Sequence, residues 1–148
     1  MKHQTYSESS QTSSVDQKFY QIDLEKIKRG EDTRTTLMIK NIPNKYTQQL
    51  LLDEINRNHY GKYDFFYLPI DYSNRANVGY AFVNFVHHLF ILDFYEEFHN
   101  RKWTMFNSKK QCEIKYGRLN GIDSLMRHFE QSSVMHQNVR IKVLTIPL

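Results

Sequence analysis

One stretch decides the fold of this 148-residue chain, and it reads Val78-Gly79-Tyr80-Ala81-Phe82-Val83-Asn84-Phe85. It is filled with β-branched and aromatic residues, which favour extended backbone, and it is the strongest strand pattern in the sequence. Side chains alternate between the two faces of a strand. If Ala81, Val83 and Phe85 face a core, Tyr80 and Phe82 must therefore face the opposite side, where a half-exposed sheet normally carries polar residues.

Further elements surround this strand on both sides. Strands are predicted over residues 35–41, 63–69 and 111–117, and a hairpin before the last of them over 103–106 and 107–110. Helices are predicted from Thr47 to about Asn58 and over 88–99, and a polar loop over 71–77. The order β-α-β-β-α-β is typical of the ferredoxin-like α+β fold, in which two helices pack on one face of a four-stranded antiparallel sheet.

Extensions flank this unit. Residues 1–18 are predicted to be a disordered tail because they are rich in Ser, Thr and Gln. The domain is assigned to residues 19–135, beginning with a short helix that Asp23 caps and Gly30 ends. A third helix is indicated by the apolar stripe Ile122, Leu125, Met126 and Phe129. This helix either packs at the sheet edge or lies across the sheet and covers Tyr80 and Phe82. Residues 136–148 form a C-terminal segment with a possible edge strand over 139–146.

Composition limits the class of protein. The net charge is +4, which permits a polyanionic partner without demonstrating one. The charge is uneven, because residues 100–118 hold six Lys or Arg against Glu113 alone, whereas 88–99 hold only acidic charges. The single cysteine, Cys112, fits a reducing compartment, so we expect a nuclear or cytoplasmic location. No apolar run approaches the length of a membrane span, so no membrane association is expected.

The outward aromatics carry the chemistry. Two rings that lie two residues apart on a strand offer a surface on which nucleic-acid bases stack, at about 1–3 kcal/mol for each base. Gly79, just before them, allows close approach of a ligand. Single-stranded RNA is the ligand class that this arrangement favours, because its unpaired bases are free to stack and to offer their edges for hydrogen bonds.

The stretch 78–85 matches the longer ribonucleoprotein signature of the RNA recognition motif at seven of eight positions. Residues 37–42, Leu-Met-Ile-Lys-Asn-Ile, resemble the shorter signature on the first strand. Residues 34–46 resemble more specifically the C-terminal RNA recognition motif of the Mei-two-like proteins. Residues 72–85 and the regions around Cys112 and His128 are similar to it too, and the resemblance covers roughly residues 19–135. These proteins are RNA-binding regulators of meiosis in fungi and of development in plants, so the resemblance implies control of meiotic or developmental transcripts.

Two departures from the signatures bear on function. Val78 stands where the longer signature usually has Lys or Arg, which removes a cation that would pair with phosphate. Arg75 in the preceding loop is a candidate substitute. Met38 stands where the shorter signature usually has an aromatic residue, although its thioether still makes polarisable contact with rings. Fewer stacked bases are therefore expected than in a standard motif.

The remaining candidates come from neighbouring strands. Tyr67 extends the platform if Phe66 and Leu68 point inward, whereas the opposite parity would bury Phe65 and Tyr67. On the fourth strand Cys112 and Ile114 are expected to face the core. The full predicted RNA-binding set is Met38, Lys40, Tyr67, Arg75, Tyr80, Phe82, Lys115 and Arg118, in which the cations neutralise phosphates or contact base edges.

Peptide binding and catalysis are the two rival functions. Some domains of this fold bind Trp-containing peptides through an Arg-x-Phe motif after the second helix, and Arg101-Lys102-Trp103 is similar in position, so a protein partner is the alternative. Trp103 equally suits a hairpin core. Catalysis is not expected, because the chain lacks a phosphate-cradling glycine-rich loop and its histidines show no metal spacing. No cofactor is implied, and no feature of the sequence indicates an oligomeric state.

Overall fold

The structure, a computed structural model, describes residues 13–130. Its helices and strands run in the order α1 Ser13–Tyr20, α2 Leu24–Lys28, β1 Thr36–Lys40, α3 Gln48–His59, β2 Tyr63–Tyr67, β3 Ile70–Asp71, β4 Ala76–Asn77, β5 Tyr80–Phe85, α4 Phe90–Phe98, β6 Glu113–Tyr116 and α5 Ile122–Glu130. The C-terminal segment 136–148, with its possible edge strand, lies outside the described residues, as does most of the tail assigned to 1–18.

Four of the strands form one antiparallel sheet in the order β2-β5-β1-β6. This confirms the ferredoxin-like α+β prediction. The interior strands are the two that carry the signature stretches. β3 and β4 pair as a separate short hairpin within the predicted polar loop. The predicted hairpin over 103–110 is reduced to one isolated bridge between Lys102 and Gln111.

The core lies between one face of the sheet and helices α3 and α4. β5 contributes Ala81, Val83 and Phe85, each at most 1% exposed, as its alternation predicts. Phe66, Leu68, Cys112 and Ile114 join the same core, so both parity predictions for the neighbouring strands are confirmed. Burial raises the pKa of the Cys112 thiol, which keeps it protonated and unsuited to nucleophilic chemistry.

Local sequence explains where the flanking helices begin. Thr47 caps α3 by accepting a hydrogen bond from the Leu50 amide at 3.1 Å. Asp23 caps α2 by accepting from the amides of Glu25 and Lys26. Helix α1 begins at Ser13, so the predicted tail overlaps a helix over 13–18. A cation–π contact joins the end of α1 to the domain, because the Arg34 guanidinium lies over the Phe19 ring, 4.6 Å from its centroid.

A buried polar network joins three strands to the start of α5. The Asn84 Oδ1 atom accepts hydrogen bonds from the hydroxyls of Thr35 and Thr36 at 2.8 and 2.7 Å, and its amide donates to Asp64 at 2.8 Å. Thr36 Oγ1 in turn accepts from the Gly121 amide at 2.9 Å. Asn84, 3% exposed, therefore links β5, β1 and β2 and fixes the chain that enters α5.

Helix α5 lies against the sheet face opposite α3 and α4. Its Leu125 and Phe129 form a second apolar cluster with Phe65 and Tyr67 of β2. The Phe129 ring stacks on Phe65 at 5.8 Å and meets Tyr67 edge-on at 4.9 Å, between centroids. Neither placement left open by the sequence is adopted in full: α5 lies on the outer sheet face over the edge strand β2, where it covers Phe65 and Tyr67 and only touches Phe82.

Replacing Asn84 with Ala should destabilise the domain by about 1–3 kcal/mol, because it leaves the buried Thr36 hydroxyl, the part-buried Thr35 hydroxyl and the Asp64 carboxylate short of partners. The measurement is urea unfolding followed by circular dichroism. The matched control is Asn44→Ala on an exposed loop, which should change the unfolding free energy by less than about 0.5 kcal/mol. Equal stability of the two variants would show that the network contributes nothing.

Candidate nucleic-acid interface

Cross-strand register arranges the outer face of the sheet in three rows. The first row holds Phe65, Asn84 and Thr36. The second places Tyr67, Phe82, Met38 and Lys115 side by side across all four strands. The third holds Tyr80, Lys40 and Glu113. Five of the eight predicted site residues therefore meet in the second and third rows on β5, β1 and β6: Met38, Lys40, Tyr80, Phe82 and Lys115.

The two signature aromatics present rings at right angles. Tyr80 and Phe82 have ring centroids 5.7 Å apart and an interplanar angle of 77°. Both side chains are half-buried, and Phe82 also leans on Phe129 of α5 at 6.0 Å. A base stacked on one ring would therefore meet the edge of the other, which is a favourable aromatic geometry.

The prediction that Tyr67 extends an open platform is corrected by α5. Tyr67 lies on the outer face as its parity requires, but it is only 1% exposed because Phe129 and Leu125 cover it. Phe65 beside it is fully buried for the same reason. The accessible part of the face is thus shifted toward β1 and β6, away from the strand that carries these two rings.

Positive charge gathers on this β1 and β6 side. Lys115 is partly buried, and its ammonium lies 3.9 Å from the Glu113 carboxylate. Burial lowers the pKa of Lys115, and the positive charge of Lys40 lowers it further, while Glu113 raises it and Arg118 again lowers it. The three cations therefore repel one another, so a bound phosphate would relieve that repulsion.

Two predicted cations lie outside the rows. Arg118 follows β6 and is exposed, with its guanidinium 4.9 Å from the ring centroid of Tyr20 in α1. It is therefore positioned at the sheet end by the N-terminal extension. Arg75 is exposed in the turn between β3 and β4, where its backbone φ is +58° and its amide donates to the Asp71 carbonyl. The buried Asn77 ties this hairpin to the β1–α3 loop through the carbonyls of Pro43 and Tyr46.

The residues proposed for peptide binding are engaged within the domain. Trp103 is 5% exposed, and its indole N–H donates to the Asn41 carbonyl at 2.8 Å. The Arg101 guanidinium donates to the buried Glu54 carboxylate at 2.9 Å and packs over Phe98. Trp103 is therefore a core residue, and the charge of Arg101 is matched by an internal carboxylate.

The sequence indicated that α5 could lie across the sheet, but it did not identify Phe65 and Tyr67 as the rings that the helix covers. Phe129 and Leu125 shape the site as much as the signature aromatics do, since they decide which rings are accessible. Their helical stripe was the available signal, but a stripe identifies an apolar face without identifying the surface that it meets.

Residues 13–130 also bear on whether the domain has a metal site or a membrane-spanning helix. In that range no group of three or more His, Cys, Asp or Glu side chains is arranged to hold a metal ion. No helix in the same range is long and apolar enough to cross a membrane.

Comparison with known proteins gives a family and a set of relatives. Residues 34–130 match the model of the family described as RNA recognition motif 2. Protein MEI2-like 2 of Oryza sativa subsp. japonica is 51% identical over 135 residues, which are 91% of this chain and 16% of the relative. Protein MEI2-like 4 of Arabidopsis thaliana is 49% identical over 133 residues, 90% of this chain and 15% of the relative.

A solved structure supports the fold. The RNA recognition motif of Rna15, solved with bound GU RNA, superposes with a TM-score of 0.50 at 14% identity over 66% of this chain and 97% of that one. The chain spans about one sixth of the length of the plant relatives that it matches, whose similarity confirms the resemblance to the Mei-two-like proteins. By its match from Arg34 to Glu130, this chain belongs to the RNA recognition motif 2 family.

Proposed function

We propose that this domain binds single-stranded RNA on the second and third rows of the outer sheet face. The observation that carries the proposal is the register that sets Phe82 beside Met38 and Lys115, and Tyr80 beside Lys40. Aromatic surface on β5 and cationic groups on β1 and β6 lie next to each other, which matches the alternation of base and phosphate along an RNA strand.

The rings and the cations have separate tasks in this proposal. Tyr80 and Phe82 stack bases, and Met38 supplies polarisable contact between Phe82 and Lys115. Lys40 and Lys115 neutralise phosphates, with Arg118 available at the sheet end. Arg75, on its hairpin beside the β1–α3 loop, is proposed to contact RNA that leaves the sheet near Gly79, whose amide the buried Asn77 holds at 2.7 Å.

Helix α5 sets the extent of the bound segment. With Tyr67 and Phe65 covered, the proposed platform offers two rings, so fewer bases stack than on a fully open face. Binding of a longer segment over β2 would require α5 to leave Phe65 and Tyr67. The free energy of that displacement would then be subtracted from the binding free energy.

The cellular role is proposed from the relatives. We propose that this protein regulates meiotic or developmental transcripts, acting in the nucleus or the cytoplasm, since the MEI2-like relatives are about half identical to it over the aligned residues. A binding module without catalytic activity fits the family. A Trp-containing peptide is a less favoured ligand, because Trp103 is buried and Arg101 is paired with Glu54.

Replacing Phe82 with Ala should weaken binding of single-stranded RNA by about 1–3 kcal/mol, roughly 5- to 150-fold in Kd, because one stacking ring is lost. Fluorescence anisotropy of a labelled, randomised RNA pool at fixed salt measures the change. The matched control is Phe90→Ala, a half-buried aromatic on the helix side of the sheet, which should leave the Kd unchanged. Equal affinity of Phe82→Ala and wild type, with the fold intact, would remove the stacking role.

Replacing Lys115 with Gln should weaken binding and flatten its salt dependence. If Lys115 neutralises one phosphate, the slope of log K against log salt should fall in magnitude by about 0.7, the value for a single-stranded ligand. The measurement is an anisotropy titration at four or more salt concentrations. An unchanged slope would assign Lys115 to the solvated surface and leave Lys40 and Arg118 as the remaining cations of the face.

Replacing Phe129 with Ala should strengthen RNA binding several-fold while lowering the stability of the domain. The reason is that Phe129 packs on Phe65, Tyr67 and Phe82, so its truncation makes these rings easier to uncover. Affinity is measured by the same titration, with Phe90→Ala as the control for loss of an aromatic ring. Weaker binding by Phe129→Ala would instead make α5 part of the RNA-binding surface.

A further inference from the structure

The loop between α4 and β6 forms a separate feature at the end of the sheet where β1 ends. The Lys102–Gln111 bridge closes it, and we refer to residues 102–111 as the 102–111 loop. At its base the Asn100 amide donates to the Cys112 carbonyl at 2.7 Å, and the Cys112 amide donates to the Arg101 carbonyl at 2.8 Å. The loop therefore leaves and rejoins the domain at a fixed point beside β6.

Phe106 in this loop holds an unusual conformation. Its backbone φ is +67°, and Asn107 follows with a φ of +49°. The left-handed region is unfavourable for a non-glycine residue, and a bulky aromatic residue rarely adopts it. Phe106 remains 40% exposed, and its ring packs edge-on against Tyr46. Backbone strain of this kind clusters at ligand-binding positions.

The ring of Phe106 is nonetheless positioned rigidly. It meets Tyr46 edge-on at 5.3 Å between centroids, and Tyr46 contacts the buried Trp103 at the same distance. The Trp103 indole donates to the Asn41 carbonyl at 2.8 Å, and the Asn41 amide side chain donates to the Gln111 carbonyl at 3.0 Å. The exposed ring of Phe106 is thus supported by a chain of contacts through Tyr46 and Trp103 to Asn41 at the end of β1.

The scaffold connects the loop to the proposed RNA platform. Asn41 directly follows Lys40, which lies between Tyr80 and Glu113 in the third row. The Ile42 amide, one residue further, donates to the Gly79 carbonyl at 3.0 Å, next to Tyr80. A strand of RNA that leaves Tyr80 over the end of β1 therefore meets the 102–111 loop next.

Charge in and around the loop is positive and unpaired. Residues 99–112 contain no Asp or Glu. Lys102, Lys109 and Lys110 are exposed, as is Lys45 beside Tyr46. Within the described part of the chain none of these four ammonium groups forms an ion pair, whereas the neighbouring Arg101 pairs with Glu54. Exposed cations with no internal counter-charge, grouped beside a fixed aromatic ring, match the needs of a nucleic-acid strand.

We propose that the 102–111 loop is a second contact site for the same RNA, in which Phe106 stacks a base and Lys109 and Lys110 bind the flanking phosphates. This inference rests on the proposed function, since the loop extends a strand that the sheet face already holds. It assigns to the domain a longer binding site than the sheet alone offers. An acidic protein segment is the other ligand class that the lysines could bind, but it would not explain why the strained ring of Phe106 is exposed.

The test compares two single-stranded RNAs of random sequence, one of about four nucleotides that fits the sheet and one of about twelve that also reaches the loop. Phe106→Gly is the informative variant, because glycine adopts a φ of +67° without strain and the loop can keep its backbone conformation when the ring is removed. We expect it to raise the Kd of the long RNA roughly 5- to 150-fold and to leave the Kd of the short RNA unchanged.

The lysine pair gives a second readout. Lys109→Gln/Lys110→Gln should reduce the salt slope for the long RNA by about 1.4, from two lost phosphate contacts, and leave that for the short RNA unchanged. The matched control is Lys26→Gln/Arg57→Gln, which removes two exposed charges from α2 and α3 on the helix side. An equal fall in slope for this control would mean that net charge alone acts, and would overturn the inference.

The outcomes separate this inference from the proposed function. If Phe82→Ala weakens binding of both RNAs while both loop variants bind the long RNA like wild type, the sheet site stands and the loop site is overturned, leaving the lysines to an acidic protein partner. If wild type binds neither RNA, both are overturned. Selective loss of long-RNA affinity in the loop variants supports the loop site.

Discussion

The alternation of side chains along β5 is the constraint on which the rest of the structure depends. Ala81, Val83 and Phe85 are buried against α3 and α4, and this fixes Tyr80 and Phe82 on the opposite face. Because β5 is an interior strand, its register with β1 and β2 then places Met38, Lys40 and Tyr67 beside these rings, and β1 in turn places Lys115. A shift of one residue would exchange the two faces, removing both the core and the platform.

The outer face of the sheet has two parts, one that is buried by α5 and one that remains accessible to a ligand. On the β2 side Phe65 and Tyr67 are buried by α5, where they stabilise the domain. On the β1 and β6 side Met38, Lys40 and Lys115 remain half-exposed, and the two lysines carry charge that the domain does not fully neutralise. Phe82 lies at the boundary and belongs to both halves. Stability and ligand binding therefore compete at this ring, and the Asn84 network fixes where α5 enters the face.

Much of the fold could be predicted from the sequence, since it is encoded in local patterns. The strand at 78–85, the parity of Phe66 and Leu68, and the inward positions of Cys112 and Ile114 all follow from alternation with period two. The apolar stripe of α5 was equally visible. What the stripe could not give was the surface that the helix meets, because several apolar surfaces would satisfy it. The burial of Tyr67 depends on that choice and was therefore missed.

Other features depend on contacts between residues distant in sequence. Arg118 lies over Tyr20, and Trp103 donates to Asn41, pairings that no local pattern indicates. A hairpin was predicted over 103–106 and 107–110, within the 102–111 loop. Its left-handed Phe106 contradicts ordinary backbone preference, and the ring packs on Tyr46, a residue distant in sequence, so no local pattern indicates this conformation.

The central claim is that the sheet face, and not the helix side, receives RNA. The most direct measurement is an amide NMR titration of the isotope-labelled protein with single-stranded RNA. If RNA binds the sheet face, the largest amide chemical-shift changes should occur at Met38, Lys40, Tyr80, Phe82 and Lys115. The amides of α3 and α4 should change little. Largest changes along α3 and α4, with the second and third rows unaffected, would contradict the central claim.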